Sequence, residues 1–205
     1  MKKLDKLKKK FKFNKKGLLF IFGIAVIGFL SGVIFITIIK NSDKIIVKNY
    51  IESYMNSIKN HNINYIDQFK NVFLDNLSFI IVTWLLGMSV IGIPINLFYY
   101  FLKSFILGFT IVAFILTYKV KGCLYALLYV IPHNLINLFI FSILIYCTFN
   151  FSLTLIYGIT KKKSINFKII FNKYLYILLI SIFIIFITSL YEAFILPNIF
   201  INLVK

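Results

Sequence analysis

The sequence predicts an all-α protein, a polytopic bundle of about five helices that cross a lipid bilayer, with its N-terminus in the cytoplasm. Three observations predict it. Of 205 residues 60% are hydrophobic and 14% charged, against roughly 45–50% and about 25% in soluble domains, which is more apolar surface than a water-soluble fold of this size can hide. The apolar residues fall in uninterrupted runs near the roughly 20 residues that a helix needs to cross hydrocarbon. Lysines sit at the ends of those runs, nine of them in residues 1–16, where positive charge holds a flanking segment in the cytoplasm.

Residues 1–16 are read as a basic cytoplasmic tail and 17–39, 23 residues without a charge, as the first transmembrane helix. That run is too long for the apolar region of a cleavable signal peptide and has no small-residue cleavage site, so it is expected to remain as an anchor. Within it Gly28-Phe-Leu-Ser-Gly32 has the Gly-x-x-x-Gly spacing that lets another helix backbone approach closely, in this chain or in a partner. Residues 40–76 are read as an external loop with amphipathic helices. Val47, Ile51, Tyr54, Met55 and Ile58 recur on one helical face, with Lys48, Glu52, Asn56 and Lys59 turned elsewhere. A second stripe, Ile66, Phe69 and Phe73, leads into the next span. These helices are expected to lie on the membrane or against the bundle; the alternative is a docking surface for a partner.

Residues 77–205 are read as a transmembrane core with four further spans. The run 77–102 contains Gly87, Gly92 and Pro94, which predict a kink or unwinding near its middle, and Lys103 is expected to end it. Residues 104–118 are short for a crossing and read as a thinned span or a re-entrant hairpin. Residues 122–160 carry no charge and read as one long span broken at Pro132, because the lysines at 161–163, 168 and 173 belong on the cytoplasmic side. The last run, 174–191, sends the C-terminus outside. This arrangement puts 15 lysines inside and 8 outside.

All 23 basic residues are lysine, and the lack of arginine removes the bidentate contacts that read guanine or clamp phosphate. A nucleic-acid partner is therefore not expected, and membrane lipid accounts for the charge. Cys123 and Cys147 are about 36 Å apart on a continuous helix, which excludes a disulfide between them. His61 and His133 are the only histidines; no zinc, phosphate-loop or nucleophile-turn motif is present, so no cofactor or metal is expected and the chain is not read as an enzyme. The informative polar groups lie inside apolar sequence, where a partner is needed to offset burial. Pro132, His133 and Asn134 are followed by Asn137 one turn on. Asn134 and His133 read as satisfying backbone groups freed by Pro132 or as bonds between helices. Glu192, five residues before Pro197, reads as an interfacial carboxylate or, with His133 and Asn134, as part of a polar pocket that holds the bundle together.

The stretch Thr83-Trp-Leu-Leu-Gly-Met-Ser-Val-Ile-Gly-Ile-Pro-Ile95, then Phe101-Leu-Lys-Ser-Phe-Ile-Leu-Gly-Phe-Thr110, resembles the core of the stage II sporulation protein M family. Ile131-Pro-His-Asn-Leu-Ile136 and Glu192-Ala193 with Pro197 extend the resemblance over essentially the whole chain. More distant relatives continue the Pro-His motif with glycine and then glutamate, where Asn134 and Asn137 stand here, so no acidic role transfers to that helix. The resemblance implies a mother-cell membrane protein required for forespore engulfment, a scaffold that recruits the peptidoglycan-degrading stage II sporulation proteins D and P to the septal membrane. The runner-up is a transporter or channel component with kinked helices around a midplane site, against which the sequence shows no internal repeat and few embedded charges.

Overall fold

The computed structural model describes residues 15–60, 64–89, 91–161 and 167–204. Most of the lysine-rich tail, the lysines at 162 and 163, and His61 lie outside the described residues. Within them the chain is helical without strands: α1 (Lys15–Ile38), α2 (Asn41–Lys59), α3 (Tyr65–Leu86), α4 (Gly92–Tyr118), α5 (Val120–Tyr125), α6 (Ile131–Lys161), α7 (Phe167–Leu190) and α8 (Leu196–Val204). A π-helical turn, Ala126–Val130, joins α5 to α6, and a second, Tyr191–Ile195, joins α7 to α8. Five segments are long and apolar enough to cross a membrane: Lys15–Ile38, Tyr65–Leu86, Gly92–Tyr118, Val120–Gly158 and Phe167–Ile201. Helix is the form such segments take because hydrocarbon offers no partner to a free N–H or C=O.

Where the spans fall differs from expectation in one place. Lys103 does not end a helix, and 104–118 is neither a separate span nor a re-entrant hairpin. α4 runs unbroken for 27 residues through Lys103, which is tolerated at mid-helix because its Nζ lies 2.6 Å from Asp75 Oδ2 on α3. The break comes earlier, between Leu86 and Gly92, and it is a complete helix reversal rather than a kink. Gly92 accepts this because a Cβ there would overlap the Leu86 carbonyl oxygen, and Pro94 sits in the first turn of α4, where its missing N–H has no intrahelical partner to lose. The number of spans is kept. Crossing once each, they put the 87–89 turn on the side of Lys15, and α2, Lys119 and α8 on the other side.

α1 packs most extensively on α4. Gly28 and Gly32 are buried in that contact, so their close-approach face is used within this chain and is not presented to a partner. A Cβ on Gly28 would lie 2.6 Å from the Phe101 carbonyl oxygen, and one on Gly32 would overlap that of Phe105. α4 answers with Ser104 and Gly108, both buried, at the same four-residue spacing.

α2 packs on the bundle with the predicted stripe inward. Ile51, Met55 and Ile58 are buried in a core shared with Ile36 of α1, Phe114 of α4, Tyr129 of the first π turn and Phe200 of α8. Asp43 in its first turn and Lys59 in its last complement the helix dipole. The second stripe does not form a separate surface helix. Ile66, Phe69 and Phe73 belong to α3, capped by Asn64, whose Oδ1 accepts from the Ile66 N–H at 3.1 Å and whose Nδ2 donates to Asp67 at 2.7 Å.

Candidate functional site

α6 and α7 run antiparallel, and four-residue spacings on each bring their polar groups together. Thr188 Oγ1 donates to Asn137 Oδ1 at 2.7 Å. One turn outward His133 Nε2 lies 3.2 Å from Glu192 Oε2, and beyond it the rings of Tyr125 and Phe200 meet with centroids 4.9 Å apart. These three rungs form a ladder. The polar residues expected in the last two spans thus converge, and Glu192 is not an interfacial carboxylate at a helix end: it sits in the second π turn against a buried histidine.

The π turns have a local cause. Pro132 and Pro197 lack an N–H and crowd the carbonyl four residues earlier, and each is preceded by a π turn that ends two residues before it. The wider turn closes with i→i+5 bonds, Ile131 N–H to Ala126 O and Leu196 N–H to Tyr191 O, so the backbone stays paired. Asn134 takes the role expected of it, its Nδ2 donating to the Val130 carbonyl at 2.8 Å while lying 2.8 Å from His133 Nε2.

Two cavities meet at this cluster. One, about 470 Å³, opens between α2 and the spans and is walled by Ile46, Tyr50, Phe109, Phe114 and Tyr129. The other, about 350 Å³, lies between α3 and α4 beside Asp75, Asn76, Tyr99 and Lys103. Thr110, Val130, His133, Asn134 and Glu192 line both. The spans therefore embed Asp75, Lys103 and Glu192, which corrects the expectation of few embedded charges. Above the first cavity the hydroxyls of Tyr54 and Tyr129 lie 2.6 Å apart, and Gln68 Nε2 donates to them at 3.0 and 3.3 Å. This latch ties α2 and α3 to the π turn.

The motif around Trp84 and Pro94 has a different place, at the opposite end of the bundle. Tyr174 donates to the Trp84 carbonyl at 2.6 Å, and Ser152 Oγ donates to the Gly87 and Ser89 carbonyls. Asn96 Nδ2 donates to the Thr83 carbonyl at 3.0 Å. The Tyr174 ring stacks on Trp84 and on Phe151, at 5.3 and 4.2 Å. The motif residues thus build a helix reversal whose free carbonyls are satisfied by α6 and α7, and Pro94 is part of that turn and not of the His133–Glu192 cluster.

The family model of stage II sporulation protein M matches residues 17–197, which takes in the reversal, the Asn137–Thr188 and His133–Glu192 rungs and both prolines of the last two spans. The chain belongs to the stage II sporulation protein M family. No curated protein and no solved structure matches it. Membership and five membrane-crossing helices together make it a sporulation-related membrane protein. In this family member the residues missed from sequence are Thr188, Gln68, Asp75 and the Ser104/Gly108 face, while Tyr54 was read as part of the α2 stripe and not for the hydroxyl it brings to Tyr129. The signals were present: Ser104-x-x-x-Gly108 repeats the small-residue spacing of Gly28 and Gly32, and positions 188, 192, 196 and 200 repeat the spacing of 125, 129, 133 and 137.

Proposed function

We propose that this chain is a non-enzymatic membrane scaffold of forespore engulfment, which recruits the peptidoglycan-degrading stage II sporulation proteins D and P to the septal membrane of the mother cell. The observation that carries the reading is the family match across residues 17–197. The geometry supplies it with a surface. α2 is held rigidly by Ile51, Met55 and Ile58 and by the Tyr54–Tyr129 bond, and it presents Lys48, Asn56 and Lys59 outward, all exposed. The nine lysines of residues 1–16 favour a cytoplasmic tail, which puts α2 on the side of the wall, where partners acting on peptidoglycan work.

The test is affinity purification of the tagged protein from sporulating cells in mild detergent, beside a variant carrying Lys48→Glu and Lys59→Glu. Co-purification of both hydrolases with the wild type, and their loss from the variant at equal protein level, is the expected result. Reproducible absence of both hydrolases from intact, abundant wild-type protein overturns the reading. Retention by the variant removes the outward face of α2 as the recruiting surface.

A further inference from the structure

The cavity between α2 and the spans has the size and make-up of a small-molecule site, which typically spans roughly 300–1,000 Å³ with apolar walls and a few convergent polar groups. Its volume is about 470 Å³. Tyr50, Phe109, Phe114 and Tyr129 give it an aromatic wall, and Glu192 stands at its polar end beside His133 and Asn134. The chain has 23 lysines against 6 acidic residues, yet among the described residues no lysine lines this cavity and Glu192 is the one carboxylate that does. An anionic ligand would meet no counter-charge there.

The Glu192 carboxyl meets His133, whose Nε2 lies 3.2 Å from Oε2. A carboxylate offers about four acceptor positions, so capacity remains toward the cavity. The Asn134 amide is already engaged with the Val130 carbonyl and with His133, and does not fill it. Lys103 of the adjoining cavity is held by Asp75 at 2.6 Å, so a donor carrying positive charge in this cavity would suit a carboxylate held in the membrane, and aromatic faces attract a cation further.

We propose that this cavity binds an amphiphile that ends in a primary ammonium group, its alkyl body against Phe109 and Phe114 and its ammonium on Glu192. The chemistry is shared by a membrane aminophospholipid and by a diffusible long-chain amine. It is independent of whether the chain recruits hydrolases.

The experiment titrates the purified full-length protein in detergent with dodecylammonium and, separately, with dodecanol, which has the same chain and no charge. The wild type is expected to bind the ammonium at least about tenfold more tightly than the alcohol, the measure of a hydrogen bond to a charged group. Glu192→Gln is expected to equalise the two. Thr110→Phe, which fills the cavity and leaves the carboxylate in place, is expected to weaken both, and it serves as the test if Glu192→Gln fails to fold. Equal binding of the two probes by the wild type, an ammonium preference that survives in folded Glu192→Gln, or unchanged binding of both by folded Thr110→Phe overturns the proposal. Reconstitution into bilayers of phosphatidylethanolamine and phosphatidylglycerol, followed by mass spectrometry of the lipid retained, separates the sources. Enrichment of phosphatidylethanolamine that is lost in Thr110→Phe identifies the membrane lipid; dodecylammonium binding without that enrichment identifies a diffusible amine.

Discussion

Replacing Gly32 with alanine tests the contact on which the bundle is assembled. The added Cβ overlaps the Phe105 carbonyl oxygen and lies 2.9 Å from both Phe105 C and Phe109 N. All three are backbone atoms of α4, so no side-chain rotation relieves them. Ordinary carbon contacts lie at about 3.5–4.0 Å, and restoring them requires α1 and α4 to part by on the order of 1 Å. Overpacking of this kind costs about 1–3 kcal/mol, against a gain of up to about 1 kcal/mol from replacing glycine in a helix. Gly23 is the control on the same helix: a Cβ there meets nothing within 4 Å, so Gly23→Ala keeps the helix gain alone. Equilibrium unfolding of both variants in mixed micelles is expected to rank Gly23→Ala at or above the wild type and Gly32→Ala about 1–3 kcal/mol below Gly23→Ala. Equal stability of the two variants would refute the assignment of this face to packing within the chain.

Lys103→Met leaves Asp75 without its 2.6 Å partner near the middle of α3, where an aspartate costs about 2.5–3.5 kcal/mol. Unfolding in micelles should show most of that loss for Lys103→Met and its recovery on adding Asp75→Asn. Burial raises the ionisation of Tyr54 above its ordinary 10.0, opposed by the Tyr129 hydrogen bond; the undocked helix then sheds the proton first, so docking of α2 is complete below pH 10 and weakens above it. Limited proteolysis of residues 41–59 should accelerate above pH 10 in the wild type and change less with pH in Tyr54→Phe, which is looser at neutral pH by about 1 kcal/mol. Deleting Leu127 or Ile195, both exposed members of the two π turns, should each destabilise the protein, and the double deletion should be more stable than either single one in the same unfolding assay.

The number of spans was legible because lipid leaves the backbone one solution and apolar run length reports it directly. Their boundaries around Lys103 were not, because a charge reads as a helix end until its partner is known, and Asp75 lies 28 residues away on another helix. The stripe of α2 was legible as a period, since Ile51, Met55 and Ile58 are the residues buried. Gly28 and Gly32 were legible as a close-approach face but not as to what approaches, since the answer is on α4. His133, Asn134 and Glu192 stood out as polar groups in apolar sequence, whereas Thr188, a residue type at home in membrane helices, carried no such mark.

The ladder between the last two spans explains why both contain a π turn. Residues four apart on an α-helix advance about 400°, so a stripe at 125, 129, 133 and 137 would drift by about 40° per step and by about 120° over its length. Tyr125 would then point away from the partner that Asn137 touches. One π turn inside the stripe takes up an extra residue and returns the far end to the same face. The rungs show that this happens on both sides: Tyr125 and Asn137 are 12 residues apart, as are Thr188 and Phe200, and Tyr125 meets Phe200 just as Asn137 meets Thr188. A bulge in one helix alone would have left the opposing stripes out of register by about 1.5 Å and 100°. The two prolines, each following its π turn by the same interval, keep the bulges where the ladder needs them. His133 and Glu192 meet between the end rungs because the two irregularities are matched.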